Sequence, residues 1–186
     1  MLPETLTRTR SIVLQTLILS LLLAGWVSGV FAYPVEFKDD TGSRATLERA
    51  PERVVSLVPG ITEIIVEIGA SDVLKGITQH STRLPGTAGI KIMGGFFAPD
   101  LARIEEIQPD LIFYSSLQKE VRERFNGRKV TLINLETSSL QESYDHILLL
   151  GKIFNRAEKA EEIVRGIREE LALIHRKTER IPPAGR

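Results

Sequence analysis

The stretch between residues 52 and 70 constrains the fold more than any other part of the chain. Val54–Val58 is a short apolar run rich in β-branched residues, which is typical of a buried strand. Pro59–Gly60 interrupts that run, and Thr62–Glu63 then offers a polar start for a new element. Gly69 follows the next apolar run, where a helix commonly takes a left-handed residue. The pattern therefore predicts a strand, a tight loop and a helix.

One alternative stays open in this stretch, because Ile64–Val66 is β-branched and its pattern also fits a strand. The capping signals favour the helix. In an open parallel sheet, ligands bind outside the carboxyl ends of the strands, where helix N-termini present free N–H groups. We therefore expect a binding site near Pro59–Gly60.

Composition limits the classes of protein to which this chain can belong. The chain has 186 residues, which is enough for one domain with a real core. Its 24 lysines and arginines equal its 24 aspartates and glutamates, so no net field attracts nucleic acid. Apolar residues make up 42% of the chain, which argues against wholesale disorder. The absence of cysteine excludes disulfides and thiolate metal sites.

The N-terminus has the layout of a secretory signal peptide. Arg8 and Arg10 precede Ser11–Leu23, an uncharged apolar stretch, and Val30–Ala32 supplies a cleavage site before Tyr33. The alternative is an uncleaved anchor, because the uncharged region is long enough to span a bilayer. In either case we expect the rest of the chain to lie outside the cytoplasm.

The chain after this leader alternates strands with short helices. Strands are predicted at Val35–Lys38, Ala45–Leu47, Val73–Thr78, Ile90–Met93, Leu111–Tyr114 and Val130–Leu135, and helices from Asp100 to Ile107, at Leu117–Phe125 with Ser116 as cap, at Gln141–Phe154 and at Arg156–Arg180. Ser139 with Glu142, and Asn155 with Glu158, resemble capping boxes for the last two helices. This order indicates an α/β layered domain with a mainly parallel sheet. The last helix carries one narrow apolar stripe, from Ala160 to Ile174, so it is expected to bury one side only.

Three segments together carry a resemblance to a known family: Arg53–Glu63, Gly94–Ile104 and Gln108–Ile112. In order and spacing they resemble the N-terminal lobe of the helical-backbone periplasmic binding proteins, the substrate-binding components of ABC importers for cobalamin, haem and ferric siderophores. That family has two α/β lobes joined by one long helix, with the ligand clamped between them. The likeness runs from about Tyr33 to Arg180 and stops where the connecting helix ends.

The resemblance implies three parts for this chain. Residues 1–32 are a signal peptide, residues 33–154 a Rossmann-like lobe with a mainly parallel sheet flanked by helices, and residues 155–186 a long linking helix with a truncated end. The second lobe is expected to be absent. The implied location is the periplasm, and the implied partners are an ABC permease in the inner membrane and a small-molecule metal chelate or corrinoid. Iron or cobalt would come with the ligand, so no cofactor or resident metal is predicted.

The resemblance also implies which loops face the ligand. Their candidate ligand-binding residues are Pro59, Gly60, His80, Arg83, Phe96, Phe97, Ser115 and Ser116. Phe96 falls where cobalamin-binding relatives carry an aromatic residue against the corrin, and aromatic faces hold a flat macrocycle well.

Each of these roles has a simpler alternative. Phe96 and Phe97 could both anchor their loop on the core, and we expect one of them, Phe97, to point inward. His80 is close to a second aromatic position of the family and could ligate a haem or corrinoid metal, but a lone loop histidine is commonly solvated. Arg83 could meet a carboxylate or catecholate, or simply be exposed.

One position departs from the family pattern. Relatives place a glutamate after the leucine of the Asp-Leu-Ala-Arg stretch, where it pairs with arginines of the permease, and this chain has Ala102 there. Glu105 and Glu106, about one turn further, are the candidate substitutes for permease docking. Their alternative role is that of an ordinary solvated helix face.

Enzyme signals are weak in this sequence. It contains no Gly-x-Gly-x-x-Gly, phosphate-binding loop or Gly-x-Ser-x-Gly motif. A tetrapyrrole chelatase would need a histidine–glutamate pair, and His146 and His175 lie on predicted helices with no ligand spacing to His80. We therefore predict a binding protein. The alternative is a secreted or tethered interaction module without a transport role.

Overall fold

Residues 33–178 are described by a computed structural model of the chain. Within that range the strands are β1 (Val35–Lys38), β2 (Arg44–Leu47), β3 (Val54–Ser56), β4 (Leu74–Ile77), β5 (Lys91–Ile92), β6 (Leu111–Tyr114) and β7 (Thr131–Asn134). The helices are α1 (Pro59–Glu67), α2 (Leu101–Ile107), α3 (Lys119–Phe125), α4 (Leu140–Ile153) and α5 (Ala157–Thr178), with 3-10 turns at Ser71–Val73 and Gln79–Ser81. The predicted signal peptide and the residues after Thr178 lie outside the described part.

Five strands form a parallel sheet in the order β5-β4-β3-β6-β7, and β1 and β2 form a separate antiparallel hairpin. The chain moves from β3 to one edge through β4 and β5, then returns to place β6 beside β3. Ser56 pairs with Phe113 across this junction. Loops leave β3 and β6 in opposite directions there, which opens a crevice at their carboxyl ends. The predicted α/β class with a parallel sheet is confirmed.

Helices cover both faces of the sheet, and the side chains of the strands alternate between the two layers. Val54 and Phe113 belong to the core under α1, α4 and the first half of α5. Val55 and Ile112 belong to the core under α2 and α3. Burial on both faces explains why these strands are continuously apolar in sequence.

Helix α1 begins earlier than predicted. Pro59 occupies the first turn, where its missing N–H costs nothing, so this proline starts the helix and does not break it. Thr62 lies inside the helix and bonds Ser56 Oγ at 2.8 Å instead of capping it. Ile64–Val66 is helical, as the capping argument favoured, and Gly69 has φ of +77° just after the helix ends.

The other helix starts agree in part with the predictions. Asp100 caps α2 by accepting from Arg103 N at 3.1 Å. Ser139 caps α4 through Glu142 N, but the Glu142 carboxylate bonds Ser138 and not Ser139, so only half of the capping box forms.

Two capping predictions are wrong. Helix α3 begins at Lys119 after Gln118, so Ser116 does not cap it. Asn155 has φ of +54° just after Phe154, the capping residue at the end of α4. It therefore lies in the left-handed region, where a residue ends one helix, and not in the extended region typical of an N-cap.

The long helix α5 packs closely on α4 only in its first half. A Cβ at Gly151 would lie 2.4 Å from the Cβ of Ala160, so the two helices cross nearly in contact. Ala160 and Val164 are buried, whereas Leu171 and Ile174 are 38% and 55% exposed. The 22 residues of α5 extend about 33 Å. Between residues 33 and 178, the helices lack an apolar stretch of the length that spanning a bilayer requires.

Candidate functional site

A groove of about 670 Å³ lies at the carboxyl edge of the sheet, beside the crevice between β3 and β6. Residues that follow four strands (β3, β5, β6 and β7) meet the N-terminal parts of α1 and α4 there. Half of the lining residues are apolar, and apolar atoms supply most of the groove's surface: Val58, Ile61, Ile64, Phe96, Leu117, Leu135 and Ile147. Its polar lining consists of Gly60, Glu63, Ser115, Ser116, Glu136, Thr137 and Ser143. An apolar crevice with a few polar groups is the usual form of a small-molecule site.

A second cavity, of about 570 Å³, lies near the first residues of β3, β4 and β5, away from the groove. Two of its cationic side chains, Arg53 and Lys75, are hydrogen-bonded within the fold. The Arg53 guanidinium donates to the carbonyls of Ile107 and Gln108, and Lys75 Nζ donates to Asp72 O at 2.6 Å. We therefore take the groove at the carboxyl edge as the candidate site.

The loop that carries Phe96 is a tight turn. Gly94 has φ of +85°, and a Cβ there would lie 2.6 Å from Ala98 O, so this position requires glycine. Gly94 and Pro99 form a bridge that closes the turn. Phe96 is half-buried at the groove. The turn thus fixes one aromatic ring at the groove wall.

The prediction that Phe97 points inward is wrong, because its side chain is 80% exposed. The backbone of the tight turn directs Phe97 to solvent, and its ring meets Phe96 edge-on at 4.9 Å between centroids. Phe97 therefore supports Phe96 from outside and does not anchor the loop.

Gln118 holds three loops of the carboxyl edge together. Its fully buried amide accepts from Ser115 N at 3.0 Å and donates to Phe96 O at 2.6 Å and to Leu57 O at 3.4 Å. These partners follow β6, β5 and β3. Gln118 is not among the residues predicted from the sequence, because a single glutamine before a predicted helix gives no signal of burial.

Glu136 presents a carboxylate at the groove. Its Oε1 accepts from Ser115 Oγ at 2.8 Å, from Ser116 N at 2.6 Å and from Asn134 Nδ2 at 3.4 Å. These hydrogen bonds, the Ser115 bond first, hold the pKa of Glu136 below its usual range. Glu136 is therefore ionised at neutral pH, and it too is absent from the residues predicted from the sequence.

The turn of the β1–β2 hairpin accepts hydrogen bonds from the backbone of Asn134 and Glu136. Asp39 is buried and accepts from Asn134 N at 3.3 Å, while Asp40 accepts from Glu136 N. His146 contacts Asp40 through Nε2 at 3.2 Å and Thr137 Oγ1 through Nδ1 at 3.1 Å. The β1–β2 hairpin thus helps to position the end of β7. Within residues 33–178, no group of three or more metal-ligating side chains is found.

The structure brings only some of the predicted ligand-binding residues together. Gly60, Phe96, Ser115 and Ser116 line the groove, and Pro59 is the first residue of α1 beside it. The hydroxyl of Ser115 is nevertheless used to hold Glu136.

His80 and Arg83 do not line the groove. Both are exposed, on or just after the 3-10 turn that follows β4. That turn touches the Phe96 loop through Gln79 N, which donates to Gly94 O at 3.0 Å. The ligand roles of His80 and Arg83 stay predictions.

The two glutamates predicted for permease docking differ in their surroundings. Glu105 accepts from Arg124 at 2.8 Å and from Arg128 at 2.5 Å, and the Arg124 hydrogen bond lowers its pKa. Glu106 is exposed. Glu105 would have to exchange these partners to meet a permease arginine, so Glu106 is the more available of the two. Docking stays a prediction for both.

Sequence comparisons give a family and several relatives. A model of the periplasmic binding protein family matches residues 54–185. The chain is 23% identical over 154 residues to an uncharacterized ABC transporter substrate-binding lipoprotein, YvrC, of Bacillus subtilis, covering 80% of this chain and 49% of the relative. It is 27% identical over 139 residues to the vitamin B12-binding protein of Vibrio parahaemolyticus, covering 73% and 50%. These relatives are named as binding proteins and not as enzymes.

Solved structures share the same fold. The iron uptake ABC transporter substrate-binding protein PiuA of Streptococcus pneumoniae matches with a TM-score of 0.69 at 21% identity, over 78% of this chain and 53% of PiuA. The petrobactin-binding protein YclQ of Bacillus subtilis matches with a TM-score of 0.69 at 20% identity, over 80% of this chain and 55% of YclQ. The chain spans about half the length of the curated relatives it matches.

Proposed function

This chain belongs to the periplasmic binding protein family, and on that premise we propose that it is an extracytoplasmic solute-binding component of an ABC importer. The proposed ligand is an iron complex or a cobalamin-like molecule, of the class that includes ferric siderophores, haem and cobalamin. The proposed membrane partner is an ABC permease. Relatives named for vitamin B12 and for petrobactin support this ligand class.

The observation that carries the proposal is the groove at the carboxyl edge of the sheet. Phe96 lines an apolar wall there, and Gln118 ties its loop to the loops after β3 and β6. A fixed aromatic ring provides a flat, rigid surface for a macrocycle or an aromatic chelate. The polar groups at the end of β7 would then orient the ligand.

We further propose that residues 33–154 form one lobe of a two-lobe receptor and that the helix from residue 155 links it to the other. A match to about half of each relative supports this division. The apolar residues Leu171, Leu173 and Ile174 also support it, because they are 38–55% exposed on the second half of α5. One lobe provides one wall of a clamp, so ligand bound to it would stay open to solvent on the other side.

Replacing Phe96 with alanine should weaken ligand binding by roughly 1–3 kcal/mol, or about 5- to 150-fold, because a stacked ring is lost. Isothermal titration with cobalamin, haem and ferric siderophores measures the change. The comparison variant is Phe97→Ala, which removes an 80% exposed ring; it should leave the free energy of unfolding nearly unchanged and weaken binding less than Phe96→Ala. Unchanged affinity of Phe96→Ala for every ligand that binds the parent chain would refute the assignment.

Export provides a separate test of the proposed location. We expect cleavage between Ala32 and Tyr33, because Val30–Ala32 supplies the small residues that signal peptidase needs. N-terminal sequencing of the exported protein should begin at Tyr33. Recovery of a chain that starts at Met1 would contradict cleavage and favour an anchored form.

A further inference from the structure

The charged side chains that line the groove all carry a negative charge. Among the described residues that line it, Glu63 and Glu136 are acidic and none is lysine, arginine or histidine. Glu63 is exposed on α1, and Glu136 follows the end of β7. A ligand that enters this apolar groove therefore meets two carboxylates and no compensating cation on this wall.

Glu136 has one oxygen left for a ligand. Within residues 33–178, the hydrogen bonds from Ser115 Oγ, Ser116 N and Asn134 Nδ2 all end on Oε1, and the Ser116 side chain also helps to stabilise the charged carboxylate. The three bonds fix the carboxylate, and they hold its pKa below the usual range, so it keeps its charge. A preset, ionised acceptor loses little entropy when it binds a donor.

The basic side chains nearest to Glu136 do not line the groove. Lys119 and Arg122 line an adjacent cavity that shares only Ser116 with the groove. His146 pairs with Asp40 behind the backbone of Glu136. Neither arrangement neutralises the free oxygen of Glu136 within the groove.

We propose, building on the function proposed above, that Glu136 makes this site selective for a chelate with a positively charged nitrogen at its edge. The ammonium or guanidinium would donate to Oε2 in a charge-assisted hydrogen bond. Polyanionic chelates, such as those with three catecholates or several free carboxylates, would bring like charges against Glu136 and Glu63, which disfavours them. Glu136 is thus a specificity-determining residue.

Three ferric probes test this selectivity on the full exported chain. The first is a trihydroxamate chelate with a pendant primary ammonium, the second is the same chelate with that amine acetylated, and the third is a triscatecholate chelate. Titration calorimetry should give the ammonium chelate roughly fivefold tighter binding than its acetylated form, with the triscatecholate weakest. Acetylation removes the positive charge but also adds an acetyl group, so the pairing is identified by the dependence of this ratio on Glu136.

The variant Glu136→Gln should bring the ratio of ammonium to acetylated chelate close to one, because the amide oxygen keeps the Ser115 and Ser116 bonds but loses the charge. The control is Glu142→Gln, another carboxylate whose pKa is lowered by serine hydrogen bonds but which does not line the groove. It should leave the ratio unchanged.

The outcomes separate this inference from the proposed function. Binding of none of the probes, nor of haem or cobalamin, would refute the proposed function and the inference with it. A parent ratio of one or below, a ratio that survives Glu136→Gln, or a triscatecholate that binds most tightly would overturn the selectivity alone.

Discussion

Fusing a second α/β lobe after Arg186 should tighten ligand binding about a thousandfold, which corresponds to roughly 4 kcal/mol. A ligand on one wall loses about half of the contact area that a clamp provides, while the entropic cost of association stays the same. The isolated chain should therefore bind in the micromolar range or weaker. The C-terminal half of a curated relative is the natural source of the added lobe.

Titration calorimetry of the fused and the parent chain with the same ligand measures this gain. The matched control is the double variant Leu171→Ser/Ile174→Ser, made in both the fused and the parent chain. These side chains are 38% and 55% exposed here, so the parent chain should lose little stability. If the second lobe packs on this face, the fused protein should lose much of its gain.

A fused chain that unfolds cooperatively as one unit yet binds no more tightly than the parent would contradict the two-lobe proposal. That result would favour the alternative of an interaction module without a transport role.

Replacing Gln118 with leucine should lower the free energy of unfolding by about 2–4 kcal/mol. The substitution keeps the approximate volume but leaves Ser115 N without its partner and removes the donor to Phe96 O, and buried unpaired groups of this kind are costly. Ligand affinity should fall as well, because the Phe96 loop is no longer tied to the loop after β6. Urea unfolding followed by circular dichroism measures the stability change.

The control for this variant is Gln141→Leu, which removes an exposed glutamine whose amide donates to Asp145 at 3.0 Å. That substitution should change stability by less than about 0.5 kcal/mol. A Gln118→Leu chain as stable as the parent would show that the three loops are held by apolar packing and not by this amide.

Much of the fold could be predicted from the sequence, because hydrophobic runs and turn residues act locally. The apolar run at Leu111–Tyr114 became β6 with both its faces buried. The start of α1 could not be placed, because Pro59 ends an extended run as readily as it begins a helix. Whether Pro59 ends the run or begins the helix depends on where the end of β3 lies in the folded domain, which the local sequence does not show.

The candidate site was predicted less completely, because its polar supports join residues far apart in sequence. Gln118 reaches Leu57, and Asp40 meets both Glu136 and His146. No local sequence pattern predicts such contacts. The direction of Phe97 also depended on the tight turn at Gly94, whose geometry the sequence shows only as a glycine pair.

The proposed function requires the groove beside Phe96 to be one wall of a binding site for a metal chelate or corrinoid. Titration of the purified exported chain with cobalamin, haem and ferric siderophores tests it most directly. We predict saturable binding of at least one of them, one ligand per chain, with a dissociation constant of roughly micromolar or weaker. No saturable binding of any of these ligands would contradict the claim, and nanomolar affinity from a monomer would contradict its restriction to a single wall.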